Sequence, residues 1–391
     1  MRHFTLSNVR VLSSAGLETE TTLAVDEGTI TQLGGRAGIH SWDVGGFLAL
    51  PGIVDLHGDA FERQLMPRPG VHFDPRIALL DTDRQLTANG ITTAYHAITY
   101  SWEPGLRSRG AGRSLMETLH AMQPHLACDT RLHLRWETYN LDAEEEVISW
   151  LLAGRIALLA FNDHTPAMVR EAGRHDKLYK YVERTGLDSN EFGLLLERIY
   201  ERRTEVPGAI QRLAEIASVL DIPMASHDDE TPEQRRHFAK LGCRISEFPK
   251  NEATAQTARE MRHEIVMGAP NVVRGGSHLS AVSAADLVAQ ELCTILTSDY
   301  YYPALAQAAF RLARDGVCDL SASWKLISEN PARAAGLLDR GTLEPGKRAD
   351  IVLVDDSVPE LPRIVATIVA GKPMVFGDVR LPEQISFRAA S

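Results

Sequence analysis

The scarcities of this sequence are its first information. Four cysteines in 391 residues, Cys128, Cys243, Cys293 and Cys318, show no C-x-x-C spacing. That excludes a zinc ribbon or a disulfide framework and leaves buried, reduced thiols. No run reaches the ~18 apolar residues that crossing a bilayer takes. The opening MRHFTLSNVRVLSS lacks the apolar core of a secretory signal, so a cytoplasmic protein with no membrane partner is expected. Positive charge is also in deficit: 41 Lys and Arg against 52 Asp and Glu give a net charge of −11. Binding along a phosphate backbone depends on clustered cations, so no nucleic-acid partner is expected. Internal repeats and low-complexity segments are absent.

What is present is an ordinary globular composition, 44% hydrophobic and 24% charged, on a chain longer than the usual single domain. Short β-type runs stand at both ends. HFTLSNVRVL and TTLAVDEGTITQLGG, the second broken at Glu27-Gly28, open the chain; RADIVLVD and IVATIVAGKPMVFG, with a turn at Gly371-Lys372, close it. Pairing them predicts a small β-sandwich from residues 1–50 and 340–391.

Between these ends, β-like runs alternate with helical stretches, the pattern of crossover units around a parallel sheet. Eight candidate strands are GIVDLH, GITTAYHAI, RLHLRWE, RIALLAFND, IPMASHDD, CRISEFP, EIVMGAPN and CTILTSD. Helices are expected over RSLMETLHAM, AEEEVISWLLAG and VPGAIQRLAEIASVL. Eight is the number a (β/α)8 barrel needs, and residues 51–339 have the length for one. The predicted fold is therefore α/β: a distorted TIM barrel carrying a small β-sandwich built from both termini.

In such a barrel the active site is assembled at the carboxyl ends of the strands. Several candidate strands finish on a possible metal ligand: His57 and Asp59 in DLHGD, Glu137 in HLRWE, His164 in FNDH, His227 in ASHDD and Asp299 in TSD. Each alone is most simply a polar residue at an element's end. Together on one face, imidazoles and carboxylates suit one or two divalent ions, zinc foremost, or manganese or iron, and Glu137 could bridge a pair.

These motifs carry a resemblance. PGIVDLH, the later strand-end ligands, the aspartate after ILTS and the tail NPARAAGLLDRGTLEPGKRADIVLVD resemble the amidohydrolase superfamily of metal-dependent hydrolases. PGIVDLHGDAFERQLMPRPGV, RLHLRWE, SHDD, MGAPNVVRGGSH and TSDYYYP look like one branch, the phosphonate-metabolism protein M family. Two features depart from the wider superfamily: the opening is His57-Gly58-Asp59 rather than His-x-His, and no strand-end lysine offers itself as a bridge. The first matches the phosphonate branch; the second leaves Glu137 as the substitute.

The resemblance implies a phosphorylated small-molecule substrate of the carbon–phosphorus lyase pathway, α-D-ribose 1-methylphosphonate 5-triphosphate, cleaved to the 5-phosphate and pyrophosphate. An acidic chain then needs local cations, for which Arg63, Arg68, Arg135 and Arg274 are candidates. In RGGSH, Gly275 and Gly276 would let backbone approach an anion, with Ser277 and His278 adding donors. Asp299 would orient and deprotonate the attacking water, and His278 could assist the leaving group. A metal-dependent amidase or deaminase for a cyclic amide or N-acyl substrate is the rival enzyme. A scaffold that kept the fold but lost catalysis is the rival from another class, and retention of His57, His164, His227 and Asp299 argues against it. The sequence leaves the oligomeric state, a homo-oligomer included, open.

Overall fold

The computed structural model describes residues 3–13, 16–36, 40–171, 185–275 and 282–376. The chain opens with β1 (His3–Ser13), β2 (Gly16–Asp26), β3 (Thr29–Leu33), β4 (Ser41–Asp43) and β5 (Leu48–Pro51). Glu27 and Gly28 link β2 to β3, both at positive φ (46° and 83°), the backbone that a two-residue turn between right-twisted strands requires.

After β5 the chain enters the barrel. Its strands are β6 (Ile53–Gly58), β7 (Ile91–Tyr100), β8 (Asp129–Glu137), β9 (Leu158–Asn162), β10 (Met224–His227), β11 (Ile245–Glu247), β12 (Glu264–Gly268) and β13 (Ile295–Thr297). They pair in sequence order, each parallel to the next. All eight runs expected from the sequence are strands, and the expected helices lie at Arg109–Met122, Glu144–Leu152 and Val206–Val219. Alternation along β8 shows how the layers form. Leu132, Leu134 and Trp136 face the surrounding helices, which leaves His133, Arg135 and Glu137 for the inside. Val54, Leu56, Leu158, Ala160, Ala225, Ile245, Val266 and Ile295 fill the interior below them.

The last strands, β14 (Ile351–Asp355), β15 (Arg363–Val369) and β16 (Lys372–Phe376), return to the first ones. The order β16-β15-β14-β5-β1-β2-β3, with β4 on β1, makes one mixed sheet from both termini. It encloses its own core of Phe4, Leu6, Val11, Leu23, Ile30, Ile351 and Ile368. The β15–β16 turn sits one residue earlier than expected: Ala370 and Gly371, not Gly371 and Lys372, are the pair at positive φ (48° and 72°).

One carboxylate ties the amino-terminal end of the barrel to the returning chain. Asp129 accepts hydrogen bonds from Arg131, from the almost fully buried Arg340 (2.6 Å) and from Arg348 (3.0 Å). Although burial works against it, these guanidiniums hold Asp129 down to about 2. A carboxyl held below its unfolded value contributes stability that is complete above about pH 4 and fades as pH falls through the folded value. Asp129→Asn should therefore lose roughly 2 kcal/mol at pH 7, and about half of that near pH 3. Denaturant unfolding of both proteins at the two pH values checks this; an equal loss at both would mean that packing, not charge, is at work.

Candidate metal centre

The barrel closes at its carboxyl end through the residues of DLHGD. Asp55, fully buried, accepts the Ser298 N–H (3.0 Å) and the hydroxyls of Ser298 and Thr297 (both 2.5 Å). Beyond it, Asp299 N–H donates to the His57 carbonyl and Asp59 N–H to the Asp299 carbonyl, each at 2.9 Å. Gly58 is needed in this seam, because a Cβ there would lie 2.8 Å from Asp55 Oδ2 and 3.0 Å from Ser298 Oγ. Asp228 and Asp299, the first residues past their strand ends to turn left-handed, have φ of 62° and 54°, a conformation Asp tolerates better than most side chains.

Two groups of ligand atoms border the cavities at this end, above a third, fully buried one of His57, His133 and Glu247. His57, Asp59 and Asp299 present one atom each within 4.8 Å of one another, and so do His164, His227 and Asp228. In the first group, burial and then the neighbouring carboxylates Glu62 and Asp59 push Asp59 up to about 6 and Asp299 up to about 7. Two half-buried carboxylates that resist ionising together are a setting in which a cation is stabilising. His57 is held neutral by burial and by Arg135, which keeps a ring nitrogen available as a ligand. In the second group, burial would lower His164, but its bonds to Asp228 (3.3 Å) and Glu137 (3.3 Å) carry it up to about 9. His227, neutral through burial, accepts from Arg135 on Nε2 and turns Nδ1 toward Asp228 Oδ2 at 3.6 Å. Crowded carboxylates and a His/Asp donor set fit divalent metal ions.

The other sequence candidates fall in different places. Arg135, buried, lies between the two groups, with Nη1 3.3 Å from Asp59 Oδ2 and Nη2 3.0 Å from His227 Nε2. Glu137 belongs to neither group: Oε1 accepts from the His164 and Thr165 N–H groups and the Thr165 hydroxyl, leaving Oε2 for the His164 ring. A bridging role would rest on that one oxygen. Arg63 is exposed on the short helix Glu62–Leu65, close enough for its charge to favour ionised Asp59. Arg68 is exposed in a turn closed by its bridge to Val71, so PRPG is a turn and Arg68 lines neither cavity beside the centre. Arg274 ends the helix Ala269–Arg274, exposed, with Gly275 capping it at φ 78°. Gly276, Ser277 and His278 lie outside the described residues.

Four residues at the centre were not singled out from the sequence. Asp228 completes the second group, and Lys250 donates to it at 2.8 Å. His133 and Glu247 lie beneath His57, fully buried. A cavity of about 310 Å³ opens beside His57, Arg135, His227 and Asp299, and another of about 550 Å³ beside Glu137 and His164. Asp228 and Lys250 line both. A cavity of about 610 Å³ at the other end of the barrel, beside Asp129, has no histidine in its walls.

Comparison with known proteins follows this geometry. Residues 188–375 match the amidohydrolase family. The chain is 33% identical over 319 residues to the α-D-ribose 1-methylphosphonate 5-triphosphate diphosphatase of Escherichia coli, covering 79% of this chain and 83% of that protein. Among solved structures it is similar to N-isopropylammelide isopropylaminohydrolase from Burkholderia multivorans (TM-score 0.66, 17% identity, 96% of this chain and 99% of that one). It is also similar to N-acetylglucosamine-6-phosphate deacetylase from Pasteurella multocida (TM-score 0.62, 10% identity, 95% and 100%). At such identities the structures speak for the fold alone.

Proposed function

Since the chain belongs to the amidohydrolase family, in the branch of the α-D-ribose 1-methylphosphonate 5-triphosphate diphosphatase, we propose that it hydrolyses that triphosphate to the 5-phosphate and pyrophosphate in the phosphonate pathway. The observation that carries this is the 33% identity to the diphosphatase across most of both chains. The cations Arg135 and Lys250, at the metal centre itself, are what an anionic substrate asks for and a neutral cyclic amide does not.

His57, Asp59 and Asp299 would hold one divalent ion and His164, His227 and Asp228 a second, zinc, manganese or iron; bound there, such ions acidify water and offset charge on phosphoryl oxygens. Asp299, at the end of the last barrel strand and on the wall of the cavity beside His57 and Arg135, orients the attacking water and takes its proton. Arg135 is buried and anchored on Asp59, so its guanidinium is pre-positioned for a phosphoryl oxygen. Lys250, on the wall shared by the two cavities, has further ammonium hydrogens beyond the one bonded to Asp228 and can hold a second oxygen. Attack at the α-phosphorus breaks its bond to the bridging oxygen. Pyrophosphate then departs without needing a strong general acid.

Purified protein should release pyrophosphate from the ribose 5-triphosphate phosphonate and leave dihydropyrimidines and N-acyl amino acids intact. Cleavage of an amide control with no pyrophosphate release would replace the proposal by the amidase alternative.

A further inference from the structure

Beneath the metal centre, three side chains surround His57 from other strands. Glu247, which ends β11, places Oε1 3.2 Å from His57 Nδ1. His133, in the middle of β8, has Nδ1 2.9 Å from the carbonyl of Leu56, the residue before His57. Phe248 and His133 meet the His57 ring edge to face, at 5.0 Å and 5.1 Å between centroids. His57, His133 and Glu247 are at most 1% exposed.

With Glu247 ionised and no cation among these three residues, the hydrogen-bond chemistry has one solution. A carboxylate only accepts, so His57 carries its hydrogen on Nδ1 and has its lone pair on Nε2. The Leu56 carbonyl likewise only accepts, so His133 is protonated on Nδ1 and its Nε2 faces Glu247 Oε2 at 3.8 Å without a hydrogen bond. Glu247 therefore acts on one ring, and His133 acts on the backbone immediately before that ring.

We propose that Glu247 and His133 are positioning residues for the metal centre: Glu247 fixes the tautomer and tilt of His57 so that Nε2 points at a cation held with Asp59 and Asp299, and His133 fixes the strand end that carries it. The inference rests on the metal-hydrolase reading and is independent of which substrate is cleaved. A carboxylate behind a ligating imidazole raises its basicity and restricts its orientation, and loss of such a partner weakens metal binding by about 10- to 100-fold.

Glu247→Gln is nearly isosteric but removes the charge and can donate as well as accept, so it no longer enforces one tautomer. Metal should be stripped from wild type and variant, and zinc affinity measured by competition with a chromophoric chelator. A 10- to 100-fold weaker affinity is expected for one equivalent, with KM little changed and kcat recovering as zinc is raised. Affinity within twofold of wild type, with only melting temperature lowered, would make Glu247 a packing residue and overturn the proposal. Should the variant fail to fold, nitrogen NMR of histidine side chains in the zinc-loaded wild type decides: His57 protonated at Nδ1 supports the proposal, and protonation at Nε2 overturns it. Loss of a whole extra equivalent of zinc in His133→Gln, with the other ions retained, would also overturn it by making the three residues a cation site of their own. Zinc affinity, melting temperature and histidine NMR use no phosphonate, so a failed pyrophosphate assay and a failed positioning role remain distinct.

Discussion

Asp299→Asn should lower kcat by about 10²–10⁴, the scale of a lost general base, while leaving the barrel closed. The closure uses backbone: Asp299 N–H to the His57 carbonyl, and its carbonyl from Asp59 N–H. An amide side chain disturbs neither. It also removes the repulsion that, after burial, Asp59 exerts on Asp299, so in metal-free protein the melting temperature should hold or rise. The competing view, that Asp299 only caps the last strand, predicts the reverse: lower melting temperature with kcat nearly intact. Measuring kcat, melting temperature and bound metal on one preparation separates the two. A kcat within threefold of wild type would remove Asp299 from the proton transfer.

The ground for this expectation was largely visible in the sequence, for a physical reason. Barrel strands covered on both faces are apolar nearly throughout, so a histidine or carboxylate at a strand's end stands out, as His57, His227 and Asp299 do. What stayed hidden depends on direction rather than composition. Glu247 ends a three-residue strand, Ile245–Glu247, too short for any periodic signal. His133 was readable in principle: it shares the inner face of RLHLRWE with Arg135 and Glu137 at two-residue spacing. Arg63 and Arg68 carry the charge that a phosphate site needs, but charge does not report burial, and both are exposed. Asp228 stands in SHDD beside Asp229, and composition alone does not tell the two apart. Only the left-handed backbone of Asp228 (φ 62°) sets it beside His164, while Asp229 turns away to the buried Arg235.

Chelation should reduce kcat by roughly 10³-fold or more, since metal ions supply several kcal/mol of charge stabilisation in reactions of this class, and zinc, manganese or iron should restore it. The more demanding expectation concerns stoichiometry. His57, Asp59 and Asp299 share no residue with His164, His227 and Asp228, and the buried guanidinium of Arg135 lies between them. Two separately removable ions are therefore expected. Asp59→Asn should lose about one equivalent and retain the ion at His164 and His227, and His227→Gln should do the opposite. Both should cost activity heavily, because Asp299, the proposed proton acceptor, belongs to one group and Asp228, which Lys250 holds, belongs to the other. Metal analysis after dialysis, with circular dichroism to show that each variant folds, gives the counts. If both substitutions empty the same single equivalent, the six residues hold one ion jointly and the two-ion arrangement fails. If wild type prepared without chelator contains no metal and is fully active, hydrolysis proceeds without a cation and the carboxylate pair must be charge-balanced by the arginines around it, Arg135 first.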